Sequence, residues 1–197
     1  LAERHRDAFN VPVIGITGSN GKTMVKEWLY QLLSPSMVVT RSPRSYNSQI
    51  GVPLSVWLMN EETQVGIFEA GISQPGEMQA LRDIIQPTIA VLTNLGAAHQ
   101  ENFGSMEEKC RQKMLLFHDA HTMVYDADDP IVAKMAAQLD EKGERLYWSA
   151  TDRQAPMFIK GINKGEAATI IEYVYKQGKS RQYTLPYIHE ARITNSI

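Results

Sequence analysis

Apolar positions along the first 150 residues switch repeatedly between two spacings. Val11–Thr17 (VPVIGIT) is a short β-branched run that predicts a buried strand. Met24, Val25, Trp28, Leu29, Leu32 and Leu33 then recur at helical spacing, and Pro35 ends that helix. The alternation continues with a strand over Met37–Thr40, a polar loop over Arg41–Gln49 and a helix over Pro53–Asn60. A strand over Gln64–Glu69, a helix over Pro75–Gln86 and a strand over Thr88–Thr93 follow. Ser105–Ala120 reads as a helix with Ser105 as N-cap and Glu108 three residues on, the pattern of a capping box. Thr122–Tyr125 predicts a strand, Pro130–Glu141 a helix and Arg145–Trp148 a strand. Trp28 and Trp57 fall on apolar helix faces and are expected in the core.

Repeated β–α alternation implies right-handed crossovers and a mainly parallel sheet with helices on both faces. The pattern changes after about Ala150. Met157–Gly161, Ala168–Tyr175 and Gln182–Leu185 read as strands with short polar connections and no helix between them. They predict a small antiparallel sheet within 150–190, attached to the parallel one. The expected class is therefore α/β, with a P-loop-type sheet and an antiparallel appendage.

Composition narrows the function classes. The 197 residues carry 20 basic and 22 acidic side chains, so no broad cationic field points to nucleic acid. Cys110 is the one cysteine, which excludes an internal disulfide and a Cys-based zinc cluster. It also fits a reducing, cytoplasmic setting. No apolar run approaches the ~20 residues needed to cross a bilayer. The chain starts at Leu1 with a charged stretch, Leu1–Asn10, unlike a signal peptide. These ends suggest a piece of a larger protein, with residues 1–10 as a linker helix and residues 11–197 as one nucleotide-binding domain.

Candidate chemistry centres on Thr17-Gly18-Ser19-Asn20-Gly21-Lys22-Thr23, which follows a predicted strand and opens a predicted helix. A phosphate loop needs that context: glycines let successive N–H groups converge on phosphate oxygens, and the helix N-terminus adds partial positive charge. Lys22 would reach the β- and γ-phosphates, and the Thr23 hydroxyl would hold Mg2+. The strict G-x-x-x-x-G-K-S/T spacing fails, because Ile16 stands where glycine is required and the nearest glycine is Gly15.

This shifted loop resembles that of the Mur ligases and their folylpolyglutamate synthetase relatives, and further segments agree in order. Tyr46-Asn47-Ser48-Gln49-Ile50-Gly51-Val52-Pro53 resembles the family's N-x-x-I-G-x-P. Glu69-Ala70-Gly71-Ile72-Ser73-Gln74-Pro75-Gly76-Glu77 resembles the E-x-G-x-x-x-P-G-E of the type that adds D-alanyl-D-alanine. Thr93-Asn94-Leu95-Gly96-Ala97-Ala98-His99, then Asn102-Phe103-Gly104-Ser105, resembles T-N-x-G-x-A-H and F-G-S. Asp126-Ala127-Asp128-Asp129-Pro130 resembles N-A-D-D-P. Ser73 and Asp126 stand where that type usually has Asn, and Ala191–Asn195 keeps only the final Asn of H-N-x-x-N.

The resemblance implies an ATP-dependent ligase that joins D-alanyl-D-alanine to UDP-N-acetylmuramoyl-tripeptide through an acyl phosphate, helped by N- and C-terminal domains absent from this chain. It implies ATP contacts from residues 17–23, Asn94 and Asn195, and a Mg2+ site from Thr23, Glu69 and His99. A carboxylate at a strand end is a hard ligand suited to Mg2+; its alternative is to cap the following turn. Lys113 aligns with a lysine that reacts with CO2 to become an anionic carbamate, the alternative being a solvated helix lysine beside Lys109. Lys22, Lys113 and His99 are the expected catalytic residues. Arg44 and Asn47 are candidates for substrate, with Arg41 and Arg44 otherwise surface charge. Asp128 and Asp129 are expected to cap the next helix. The rival readings are a folylpolyglutamate synthetase-like ligase and a nucleotide-binding module without catalysis.

Overall fold

β-branched runs with no polar alternation become neighbouring parallel strands, because both faces of such strands are covered. The computed structural model describes residues 1–139 and 143–197. Its elements run α1 (Ala2–Arg6), β1 (Val13–Thr17), α2 (Lys22–Leu33), β2 (Val39–Arg41), α3 (Gly51–Val56), β3 (Val65–Glu69), α4 (Glu77–Ile85) and β4 (Ile89–Leu92). They continue with α5 (Met106–Met114), β5 (Thr122–Asp126), α6 (Pro130–Ala136), β6 (Glu144–Ser149), β7 (Met157–Lys164), β8 (Thr169–Tyr175), β9 (Ser180–Leu185) and α7 (Glu190–Thr194).

The strands form one sheet of nine in the order β2-β3-β1-β4-β5-β6-β7-β8-β9. Pairing is parallel from β2 through β7 and antiparallel for β7–β8 and β8–β9. The expected antiparallel appendage is thus a continuation of the main sheet. α7 is an element the sequence pattern does not predict; its five residues are too few for periodicity to register.

One face of the sheet packs α3, α4, α5 and α6 over Val13, Phe68, Ala90, Leu92 and Met123. The opposite face packs Val25 and Leu29 of α2 over Ile14, Ile16, Val65 and Ile67. Beyond α2 that second face opens into an apolar groove of about 750 Å3, bordered by Val91, Val124 and Trp148. Trp28 is half-buried at its edge and stacks on Tyr187 with ring centroids 5.9 Å apart.

Several expected boundaries and contacts differ. α5 ends at Met114 rather than Ala120 and tightens into a 3-10 turn, Leu115–Phe117. That turn drives Leu116 and Phe117 fully into the core, a burial worth roughly 1.5–3 kcal/mol per side chain. The helix expected to reach Glu141 ends at Ala136 among the described residues; residues 140–142 lie outside them. α3 starts earlier than Pro53, which sits in its first turn where a missing N–H is tolerated. Trp57 is no core residue: it is 54% exposed, against His5. Glu108 accepts from the Gly104 amide rather than the Ser105 amide, so the box at α5 is displaced by one residue. Asp129 alone caps α6, whereas Asp128 ties the strand end at Ser149 to Ala150 and Thr151.

Candidate functional site

Parallel register sets Ile16 beside Glu69 and Thr17 beside Leu92. The carboxyl ends of β3, β1 and β4 therefore open onto one edge, where open α/β sheets hold ligands. The loop Thr17–Thr23 leaves β1 at this edge and enters α2. Gly18 has φ 139°, and a Cβ there would lie 2.0 Å from Thr93 Oγ1. Gly21 has φ 83°, and a Cβ there would lie 2.4 Å from Asn195 Oδ1. Both positions need glycine for conformation and for space.

The segment after β4 laces this loop in place. The Thr93 hydroxyl donates to Asn20 O at 2.5 Å. The Asn20 amide donates to Asn94 Oδ1 at 3.1 Å, and Asn94 Nδ2 returns a bond to Asn20 O at 3.0 Å. The Ser19 hydroxyl donates to Gly96 O and accepts from the Gly96 amide. Asn94 Nδ2 also donates to Asn195 Oδ1 at 3.3 Å. Asn94 thus holds the loop backbone at Asn20 and ties it to Asn195, just beyond α7.

Three lysines converge on the same edge. Lys22 Nζ donates to Gly18 O at 2.8 Å, and Lys113 Nζ reaches the same carbonyl at 3.3 Å. Lys113 is 3% exposed, so the solvated-lysine alternative is overturned. Burial first, then the charges of Lys22 and Lys109, push its ammonium down to about 7. Burial also lowers Lys22, against an opposing pull from Glu69. Lys109 is buried and donates to Gly96 O at 2.5 Å and to Ala98 O, fixing the stretch that leads to His99.

The acidic side is Glu69, fully buried at the end of β3. Thr23 Oγ1 donates to Glu69 Oε2 at 3.0 Å. Glu69 Oε1 forms an ion pair with Lys26 Nζ at 3.0 Å, in an alignment that leaves it without a hydrogen-bond donor. Thr17 Oγ1 is likewise buried with no partner, a hydroxyl left free at the start of the loop among the described residues.

The remaining expected residues are spread more widely. His99 stands exposed in a left-handed turn at φ 58°, and no hydrogen bond or ion pair joins it to Glu69 among the described residues. Its charge acts on Glu77: burial raises that carboxyl, but the Gln74 and Ser73 amides, the Ser73 hydroxyl and His99 together bring it below the usual range. Asn47 packs its side-chain amide against Gly71 and accepts the Gly71 N–H through its backbone carbonyl at 2.8 Å. Arg44 is exposed at φ 48° in the same loop. Arg41 pairs with Glu27 at 2.7 Å and lies over the Tyr30 ring, away from bare surface charge.

Lys26 and Lys109 are the site residues that sequence reasoning missed. A signal existed for each. Lys26 lies four residues after Lys22, and Lys109 four before Lys113, so each shares a helix face with a candidate site lysine.

Hard oxygens from Thr23 and Glu69 beside a cationic loop fit Mg2+ better than softer metals. No cluster of three or more His, Cys, Asp or Glu exists among the described residues to cage an ion. Mg2+ commonly takes only one or two protein ligands and completes its shell with phosphate oxygens and water, so the donor set fits.

The family model for the Mur ligase middle domain matches residues 16–197. UDP-N-acetylmuramoyl-tripeptide--D-alanyl-D-alanine ligase of Bacillus subtilis is 33% identical over 135 residues, covering 67% of this chain and 30% of that protein. The crystal structure of MurF ligase from Thermotoga maritima in complex with ADP is 28% identical, with a TM-score of 0.84 over 99% of this chain and 45% of that one. An FPGS–AMPPCP complex, 14% identical with a TM-score of 0.71 over 98% of this chain and 59% of that one, shares the fold. The chain spans less than half the length of the MurF and ligase chains it matches. On the match that runs from β1 to its last residue, the chain belongs to the Mur ligase family and carries that family's middle domain.

Proposed function

We propose that this chain is the ATP-binding centre of a cytoplasmic ligase that joins D-alanyl-D-alanine to UDP-N-acetylmuramoyl-tripeptide. The single observation that carries this reading is the meeting of Lys22, Lys113, Thr23 and Glu69 around a laced phosphate loop. In the proposed reaction a carboxylate oxygen of the tripeptide takes the γ-phosphoryl group of ATP, giving an acyl phosphate and ADP. The amine of D-alanyl-D-alanine then attacks the acyl carbon, an amide forms and phosphate leaves.

The residues divide this work. Amides of residues 18–23 cradle phosphate oxygens, with Lys22 countering the charge on the transferred group. Thr23 and Glu69, with His99 as a further ligand, would hold Mg2+, which when bound supplies charge neutralisation at the phosphates. The Lys113 amine, neutral in much of the population near pH 7, adds to CO2 with loss of one proton and becomes an anionic carbamate. Arg44 and Asn47 face the acyl substrate from the loop beside Glu69.

Residues 1–10 serve as a linker from a preceding domain, residues 11–197 form the middle domain with its antiparallel part at 150–190, and a following domain closes over ATP. Enclosure of this kind excludes water and brings the acceptor to within ~3–3.5 Å of the acyl carbon. A folylpolyglutamate synthetase-like activity is the second reading. The lower TM-score and identity to FPGS favour the first. The test measures phosphate release by the full-length protein with each substrate omitted in turn. Release that needs both the UDP-linked tripeptide and D-alanyl-D-alanine supports the assignment; release driven by a folate and glutamate refutes it.

A further inference from the structure

Lys26 is a fully buried ammonium outside the reaction described above, and it lies in α2 one turn below the phosphate loop. A buried ammonium is costly unless several acceptors surround it. Here its Nζ lies 3.0 Å from Glu69 Oε1 and 3.2 Å from Glu27 Oε1, and it donates to Ser42 O at 2.8 Å and to Arg44 O. These acceptors belong to two different parts of the site. Glu69 ends β3 and turns its other oxygen to Thr23. Ser42 and Arg44 begin the loop that carries Asn47, and the Ser42 hydroxyl accepts from the Glu69 amide at 3.1 Å. Asn47 in turn meets Gly71, two residues beyond Glu69. One ammonium therefore closes a ring from α2 through Glu69 to the 42–47 loop.

We propose that Lys26 is a positioning residue that locks the Glu69 carboxylate and the 42–47 loop into one unit, so that Glu69 presents a single oxygen to Thr23. Without the ammonium the carboxylate is free to rotate, and the two carbonyls lose their donor. The inference rests on the reading that Thr23 and Glu69 face a Mg2+-bound nucleotide.

The test uses full-length protein with Lys26→Met and Lys26→Arg, each first checked by thermal melting. ADP binding is titrated by calorimetry with and without Mg2+, and KM for the UDP-linked tripeptide is measured separately from kcat. For Lys26→Met the Mg2+ concentration at half-effect should rise about tenfold, as expected for loss of an outer-shell partner, while Mg2+-free ADP affinity stays unchanged. KM for the tripeptide should rise with it. Lys26→Arg restores the charge but spreads its donors in a plane, so it should recover part of both effects and retain roughly a threefold shift. An unchanged Mg2+ response in folded Lys26→Met overturns the proposal, as does a Lys26→Arg variant no better than Met. If Met does not fold, Arg alone decides: a wild-type Mg2+ response then overturns it. Loss of folding in both variants assigns Lys26 to stability alone and also overturns it. A wild-type protein whose ADP affinity ignores Mg2+ refutes the metal reading instead.

Discussion

Replacing Lys113 by Met should stabilise the fold while removing the amine to which the proposed reaction assigns a carbamate. Lys113 is 3% exposed, and burial together with Lys22 and Lys109 lowers its pKa from 10.5 to about 7. At about 1.4 kcal/mol per tenfold change, that lowering disfavours the folded ammonium by up to roughly 5 kcal/mol relative to the unfolded chain. Side-chain relaxation and water entry reduce this, so a gain of about 2–4 kcal/mol for Lys113→Met near pH 6.5 is expected. Met keeps the unbranched shape and adapts to the same space. The sign follows from proton counting. Between pH 7 and 10.5 the unfolded chain holds a proton that the folded chain does not, so wild-type stability rises with pH across that window. The advantage of Lys113→Met is therefore full below pH 7 and fades toward 10.5. Urea unfolding of both proteins at about pH 6.5, 8 and 9.5, in CO2-depleted buffer, measures it directly. A Met variant less stable than wild type at the lowest pH, or a gain independent of pH, would refute the buried neutral amine.

Lys22→Ala should weaken ATP–Mg2+ binding by about 1.5–3 kcal/mol with little change in melting temperature, as calorimetry and a thermal scan would show. Glu69→Gln and His99→Ala should each raise the Mg2+ requirement of turnover by about ten- to a hundredfold while nucleotide binding falls less. Normal turnover by His99→Ala would remove that side chain from the metal site. The 197-residue chain alone is expected to fold, through its own two-sided sheet, and to form no amide when mixed with ATP, Mg2+ and both substrates. Product at an enzyme-like rate would show that no other domain is required.

The sequence made the strands and the phosphate loop legible because both are local. β1, β3 and β4 are short β-branched runs, and Gly18, Gly21, Lys22 and Thr23 follow one another in a single strand-to-helix turn. What stayed hidden depends on distant partners. Lys26 and Lys109 look like ordinary helix lysines until the ends of β2 and β4 bring carbonyls to them. Asn94 reads as a ligand contact, yet its amide is engaged by Asn20 and Asn195, 74 and 101 residues away. α7 buries Ile193 in a cluster with Ile159 and Ile171, and β6 joins β7 through Trp148 beside Met157, contacts with no local signature. The solvent position of Trp57 shows the opposite failure: an apolar stripe on α3 marks two faces, and only the one bearing Val52 and Val56 is covered.

The central claim is that a substrate carboxylate, held at the Lys22–Glu69 edge, receives the γ-phosphoryl group. UDP-N-acetylmuramoyl-tripeptide labelled with 18O in its acceptor carboxylate tests this with the full-length protein, ATP, Mg2+ and D-alanyl-D-alanine. The carboxylate oxygen that attacks phosphorus leaves with it when the amide forms. Mass spectrometry of the released phosphate should therefore find one 18O atom per phosphate derived from labelled oxygen. Phosphate free of 18O, released alongside amide product, would contradict the acyl phosphate and the role assigned to this site.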